Sequence, residues 1–206
     1  TVRRLGIPIL RRVSGGGAVV QYPGNMNVSL AVPEARRLGT VEDAFARFGE
    51  ALARGLQTLG ASVARGDHLL TLGGRKVSGA AQARRGNALL VHATLLVARD
   101  TVEMAALLRA MQPGYEPNGT PSRPRATIAL GEALGRPVGL PEAGEAVVRG
   151  LGAAFSLEWK SSELTSSERT LAEELERARY RSREWNESGR ATLRSIRRAG
   201  APMITL

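Results

Sequence analysis

The chain of 206 residues contains no cysteine. Disulfide staples are therefore unavailable to its fold, and a thiol nucleophile is unavailable to its chemistry. Aromatic residues make up only 4%, too few to build the stacking platform on which single-stranded nucleic acid is held. No stretch approaches the roughly 18 apolar residues that would span a bilayer, and no charged-then-apolar signal segment opens the chain. The expectation is a cytoplasmic protein with no membrane contact. Lysine is also nearly missing: of 29 cationic residues only Lys76 and Lys160 are lysines. In a chain that uses arginine everywhere else, a lysine inside a motif marks a place for a compact point charge rather than a planar fork.

What is present suffices for a packed domain, since 43% of the residues are hydrophobic. The formal net charge of +10 raises the question of nucleic acid. The arginines, however, are spread along the chain and lack interleaved aromatics, so nucleic acid is not the expected partner. A solvated basic surface is the plain reading, and a face that attracts an acidic protein is the other.

The pattern of apolar residues predicts strand, loop, strand, turn and strand over Gly6 to Val32, with Ser14 to Gly17 and Pro23-Gly24 as the interruptions. A helix should start at the Thr40 cap. It carries Phe45, Phe48, Leu52, Leu56 and Leu59 on one stripe and closes at Gly60. A second β region follows: Leu69 to Leu72, a Gly73-Gly74 turn, a small-residue strand through Ala81, a turn at Arg84 to Asn87, and Ala88 to Ala98. That last run is nearly all apolar and is expected to be buried on both faces. A short helix over Thr101 to Met111 precedes a proline-rich loop or lid, Pro113 to Pro124. Further helices are expected over Thr127 to Leu134, Pro141 to Phe155, Thr165 to Tyr180 with a Thr165/Glu168 capping box, and Ser188 to Arg198. This is an α+β fold, a mixed and largely antiparallel sheet flanked by helices, expected as one domain over residues 1–206.

Three segments carry the chemistry. The first is Arg11-Arg12-Val13-Ser14-Gly15-Gly16-Gly17-Ala18. Consecutive glycines let several backbone N–H groups turn toward one anion, and the two arginines could clamp phosphate or carboxylate. Taken alone the loop is equally well a wide turn, because it matches neither phosphate-loop signature. The second is Gly74-Arg75-Lys76-Val77-Ser78-Gly79-Ala80-Ala81-Gln82, where a lysine beside small residues could neutralise charge at a reacting acyl phosphate. The third is His92 with Thr94 in an apolar strand, a satisfied core pair or a pocket wall. His68 and His92 have no partners at metal-ligand spacing.

Taken in order with Gly24-Asn25-Met26-Asn27 and His92-Ala93-Thr94-Leu95-Leu96, these segments resemble lipoate–protein ligases, from about Ile7 to Asp100. A weaker likeness continues through Glu184-Trp185-Asn186. The resemblance implies a biotin/lipoate-ligase-like catalytic domain. ATP, with Mg2+ as its counter-ion, would activate lipoate or octanoate as an acyl-adenylate. The acyl group would then pass to a lysine of a lipoyl acceptor domain, in a 2-oxoacid dehydrogenase complex or the glycine cleavage H protein. It further implies that Arg12, Gly17, Ala18, Val19, Val20 and Lys76 hold the nucleotide. Arg11, Ser14, Gly15, Gly16, Lys76, Gly79, Ala80 and His92 would hold lipoate, with Lys76 catalytic. Octanoyltransferases of the superfamily use a cysteine that this chain lacks, so adenylation is expected over a thioester intermediate. Measured against the family, the expectation is that the opening segment before Thr1 is absent from the chain, that there is no C-terminal accessory domain, and that a separate accessory subunit is a candidate partner. A cysteine-independent acyltransferase and a non-catalytic basic binding module remain as alternatives.

Overall fold

The computed structural model describes residues 2, 4–99, 104–116 and 125–189. They form two compact units. The larger is Ser14–Trp159, and the other joins both chain ends, Thr1–Val13 with Lys160–Leu206.

In the larger unit five strands, β1 (Asn25–Val32), β2 (Val63–Arg65), β3 (Leu69–Leu72), β4 (Arg75–Arg85) and β5 (Ala88–Leu96), make one sheet in the order β1-β5-β4-β3-β2. Every strand pairing is antiparallel. A parallel bridge, Lys76 to Thr127, adds the mixed character. Two-residue turns set the register: Gly73 and Gly74 both take positive φ (55° and 75°), the backbone that a tight hairpin needs and that glycine adopts without steric cost.

One face of the sheet is covered by α1 (Val41–Gln57) and α4 (Leu140–Phe155). The Thr40 side chain caps α1 and the Asp43 carboxylate returns the bond to the Thr40 N–H, a full capping box that satisfies two otherwise orphaned donors. The predicted stripe is the buried one: Phe48, Leu52 and Leu56 are core, with Phe45 and Leu59 packed against it. The two helices meet at glycines. A Cβ on Gly150 would stand 2.1 Å from the Ala51 carbonyl oxygen, and one on Gly55 2.3 Å from that of Ala146.

Strand β5 alternates instead of being buried on both faces as expected. Leu89, Val91, Ala93 and Leu95 enter the core, whereas Leu90, His92, Thr94 and Leu96 are only half-buried on the opposite face. The α1 and α4 helices pack on the Leu89–Leu95 face, so the period of two survives inside an apolar run. Three other expectations change. Residues 7–13 and 18–22 join no strand among the described residues, with the glycine run and Pro23 interrupting the apolar pattern between them and β1. The helix expected from Thr127 starts at Leu130 (α3, Leu130–Leu134), since residues 126–128 bond to Lys76 instead. The helix expected over Thr101 to Met111 is α2 (Met104–Leu107) plus a 3-10 turn, Arg109–Met111. Thr101 to Glu103, residues 117–124 of the proline-rich loop and the basic helix beyond Gly189 lie outside the described residues.

In the second unit α5 (Ser166–Leu175) begins at the Thr165/Glu168 capping box, runs into a π-helical turn (Glu176–Tyr180) and is followed by α6 (Arg183–Ser188). The Trp185 ring is the centre: Arg179 stacks 4.5 Å from its centroid and Tyr180 meets it edge-on. Among the described residues no helix is long and apolar enough to cross a membrane.

Candidate active site

The strand that carries Lys76 is irregular where the lysine sits. Leu70 pairs with Ser78, but Thr71 pairs with Lys76, so Val77 is an extra residue, a β-bulge. A regular strand would put Lys76 and Gly79 on opposite faces. The bulge puts Val77 and Ser78 together on the core side, both almost fully buried, and returns Lys76 and Gly79 to the other side. The lysine then lies along Gly79. A Cβ added there would come within 2.7 Å of both Lys76 Cε and Nζ. Its backbone is held as firmly: the Lys76 N–H donates to the Ala126 carbonyl at 2.8 Å, and its carbonyl accepts from the Ile128 N–H at 3.0 Å.

Lys76 opens into a cleft of about 130 Å³, walled by Ala18, Val19 and Val20 on one side and by Arg125 and Thr127 among others. Burial lowers the lysine's pKa, and the Arg125 charge lowers it further, both by disfavouring the ammonium form. Among the described residues no carboxylate lines the cleft. Asn25, also in its wall, donates from Nδ2 to the Val20 carbonyl at 3.1 Å and so ties the Ala18–Val20 segment to β1. Among the described residues its Oδ1 is buried without a hydrogen-bond partner, an acceptor that a bound donor group would satisfy. The turn before it is pinned to the end of β5, because the Gly24 carbonyl accepts from the Val97 and Ala98 N–H groups at 3.0 and 3.1 Å.

The glycine loop is anchored at its start. Ser14 Oγ and His92 Nε2 are 2.6 Å apart, which places His92 on the open sheet face beside Ala81, its partner on β4. Gly16 takes φ 98°, where a side chain would be strained. Gly15 faces open space.

Of the residues proposed from sequence, Ala18, Val19, Val20 and Lys76 come together in the cleft, and Gly79 touches Lys76. Ser14 and His92 bond to each other. Ala80 is turned to the other face, packed against the core, as its place beyond the bulge requires. Arg11 and Arg12 belong to the second unit. Arg12 is half-buried, and that burial lowers its pKa. Arg11 is engaged with α6: its Nε donates to the Trp185 carbonyl at 2.9 Å and Nη2 to that of Glu187 at 3.2 Å. The Trp185 indole N–H returns a bond to the Arg11 carbonyl at 2.8 Å. The guanidinium thus caps the carbonyl end of a short helix. Sequence reasoning missed Arg125 and Thr127, which sit after a proline-rich stretch and have no local signal. Asn25 was part of the quoted Gly-Asn motif without a role.

Residues 1–152 match the family model described as the lipoyl protein ligase A/B catalytic domain. The chain belongs to that family. Within the lipoyl protein ligase family, the octanoyltransferase LipM of Carboxydothermus hydrogenoformans is 28% identical over 200 residues, covering 88% of this chain and 74% of its own length. A putative lipoate-protein ligase A of Aeropyrum pernix is 44% identical over 108 residues, 52% of this chain and 39% of that protein. The lipoate-protein ligase A subunit 1 of Thermoplasma acidophilum is 26% identical, with 90% and 73% of the two chains covered. The solved structure of a putative lipoate protein ligase from T. acidophilum with bound lipoic acid matches at TM-score 0.73 and 25% identity, covering 90% of this chain and 73% of that one. A biotin protein ligase from Aquifex aeolicus shares the fold at TM-score 0.50 and 12% identity, over 65% of this chain and 53% of its own. The α+β fold common to lipoate and biotin ligases is therefore this chain's fold, and its family contains both lipoate ligases and octanoyltransferases.

Proposed function

We propose that this chain is the catalytic domain of an ATP-dependent lipoate–protein ligase. The observation that carries the reading is Lys76, half-buried in a cleft that no carboxylate lines among the described residues, beside the Ala18–Val20 segment. In the first step a carboxylate oxygen of lipoate or octanoate bonds to the α-phosphorus of ATP as the bond to pyrophosphate breaks. Mg2+ enters with the nucleotide phosphates. Lys76 neutralises charge shared by the acyl oxygen and the α-phosphate, where a fixed cation in a partly dry site is most effective. In the second step the amine of an acceptor lysine attacks the acyl carbonyl, loses a proton to solvent, and AMP leaves. Ala18, Val19 and Val20 bound the nucleotide, with Gly17 as a further contact. The open sheet face around Gly79 and His92 takes the acyl chain, together with Ser14, Gly15 and Gly16. Lipoyl domains of 2-oxoacid dehydrogenase complexes, or the glycine cleavage H protein, are the acceptors in the cytoplasm. The relative named as subunit 1 of a ligase supports a separate accessory subunit.

A second reading, octanoyl transfer from an acyl carrier without ATP, is favoured by the LipM relative. One assay separates them. Apo lipoyl domain is incubated with the chain and either lipoate plus Mg-ATP or octanoyl carrier protein, and the acceptor mass is followed. The ligase reading expects a lipoyl mass gain only with ATP. A gain from octanoyl carrier protein alone favours the transferase, and no gain under any condition, with an accessory subunit added, removes both.

Gly79 gives a sharper expectation. Substituting Gly79→Ala meets only the far end of a flexible side chain, so the fold should tolerate it, and alanine suits a strand better than glycine. The Lys76 ammonium, however, must move. Activity is expected to fall at least about tenfold with the thermal midpoint unchanged or raised. Unchanged turnover would show that the lysine does not work from the position seen here.

A further inference from the structure

We propose that Arg125 is a second anion-binding residue of the cleft, holding a phosphate group of the substrate alongside Lys76. This rests on the reading of the cleft as the substrate site and goes beyond it by naming a further residue and the chemical class it selects.

Three observations place Arg125 in this role. It lines the same cleft as Lys76. It directly precedes Ala126, whose carbonyl takes the Lys76 N–H at 2.8 Å, while the Ile128 N–H, two residues on, bonds to the Lys76 carbonyl at 3.0 Å. The parallel bridge between Lys76 and Thr127 therefore fixes the backbone of one cation beside the backbone of the other. Finally, the nearby Glu132 is committed elsewhere, to Arg75 at 3.0 Å. Among the described residues no carboxylate lines the cleft, and neither Lys76 nor Arg125 has an ion-pair partner.

Two cations at one partly dry cleft raise its potential, and the cost is visible in the lysine, whose pKa is lowered by burial and then by Arg125. A ligand with a single carboxylate would neutralise one of the two charges. A phosphate offers two or more anionic oxygens, which suits a planar guanidinium that can bond two of them and an ammonium that acts as a point charge. The occupant class is thus a phosphate-bearing substrate, either a nucleotide or an acyl group on phosphopantetheine. Arg125 is exposed, so its replacement has little core packing to disturb.

The test measures binding to wild type, Arg125→Gln and Arg125→Lys at about 0.1 M salt, where exposed charges are screened. The probes are Mg-ATP, octanoyl phosphopantetheine, and free octanoate as the phosphate-free control. Arg125→Gln should weaken the phosphate ligand at least tenfold and leave octanoate binding and the thermal midpoint unchanged. Arg125→Lys should restore part of the loss. If wild type and Arg125→Gln bind ATP equally, the role of Arg125 is overturned while the ligase reading stands. If wild type ignores ATP but binds octanoyl phosphopantetheine, and Arg125→Gln weakens that, the ligase reading falls and Arg125 keeps its role. If wild type binds neither phosphate ligand, both fall.

Discussion

Lys76→Ala is expected to abolish transfer of the acyl group to its acceptor while leaving the thermal melt in place. The side chain has no ion-pair partner among the described residues and packs along a glycine rather than in the core, so the fold loses little when it is removed. What is lost is the one lysine among the described residues that line the cleft. Removing one preorganised group that stabilises developing charge costs about 10² to 10³ in rate. The loss should appear in the adenylation half-reaction, read as lipoate-dependent pyrophosphate release. Lys76→Arg should recover little of it. The ammonium occupies the space that Gly79 leaves open, and a guanidinium is wider and presents its charge differently. If Lys76→Ala still forms the adenylate at the parental rate, the lysine is a structural feature of the bulge and the electrostatic account fails.

The largest effect on stability is expected at the crossing of α1 and α4. A Cβ at Gly150 would meet the Ala51 carbonyl oxygen at 2.1 Å, and the Gly55 N and Cα at 2.6 and 2.8 Å. All three are backbone atoms of a packed helix, so no side chain can swing aside. Overpacking commonly costs about 1–3 kcal/mol, and a backbone-on-backbone clash belongs at the upper end. Alanine's better helix propensity returns at most about 1 kcal/mol. Gly150→Ala should thus lower stability by about 2 kcal/mol and Gly150→Val by more. For a chain of this size each kcal/mol moves the midpoint by about 2–4 °C. Thermal and urea melts give the check, with the urea slope preserved if the change acts on packing alone. An unchanged midpoint for Gly150→Val would mean that the helices do not touch at this point.

How much of this was legible depended on the range of the interaction. The Thr40 and Thr165 caps and the Phe48–Leu52–Leu56 stripe follow from residues three and four apart, and they appear where the pattern puts them. The segments around Ile9 and Val19 have strand composition, yet pairing is a long-range choice, and neither finds a ladder. Arg11 looked like an anion clamp because it precedes a glycine loop. Its actual partners lie 174 and 176 residues away, beyond any local rule. His92 was ambiguous for the same reason until Ser14, 78 residues distant, supplied the second half of the bond. Arg125 follows a proline-rich stretch in which every residue reads as loop. The ordered set of short motifs pointed to the family, although nothing in them announces a bulge.

That bulge has a consequence for how the chain can change over time. Between Lys76 and Gly79 the number of residues sets which side of the sheet each belongs to. Deleting Val77 would restore a regular strand and drive either the ammonium or its neighbour into the apolar interior. Inserting one residue would do the same from the other direction. Single-letter changes at Val77 that keep an apolar side chain are comparatively cheap, since the core tolerates swaps of similar volume. Length, more than composition, is the constraint at this point of the strand. An insertion–deletion scan through residues 75–80 should reveal a short window in which every change of one residue is lethal to activity.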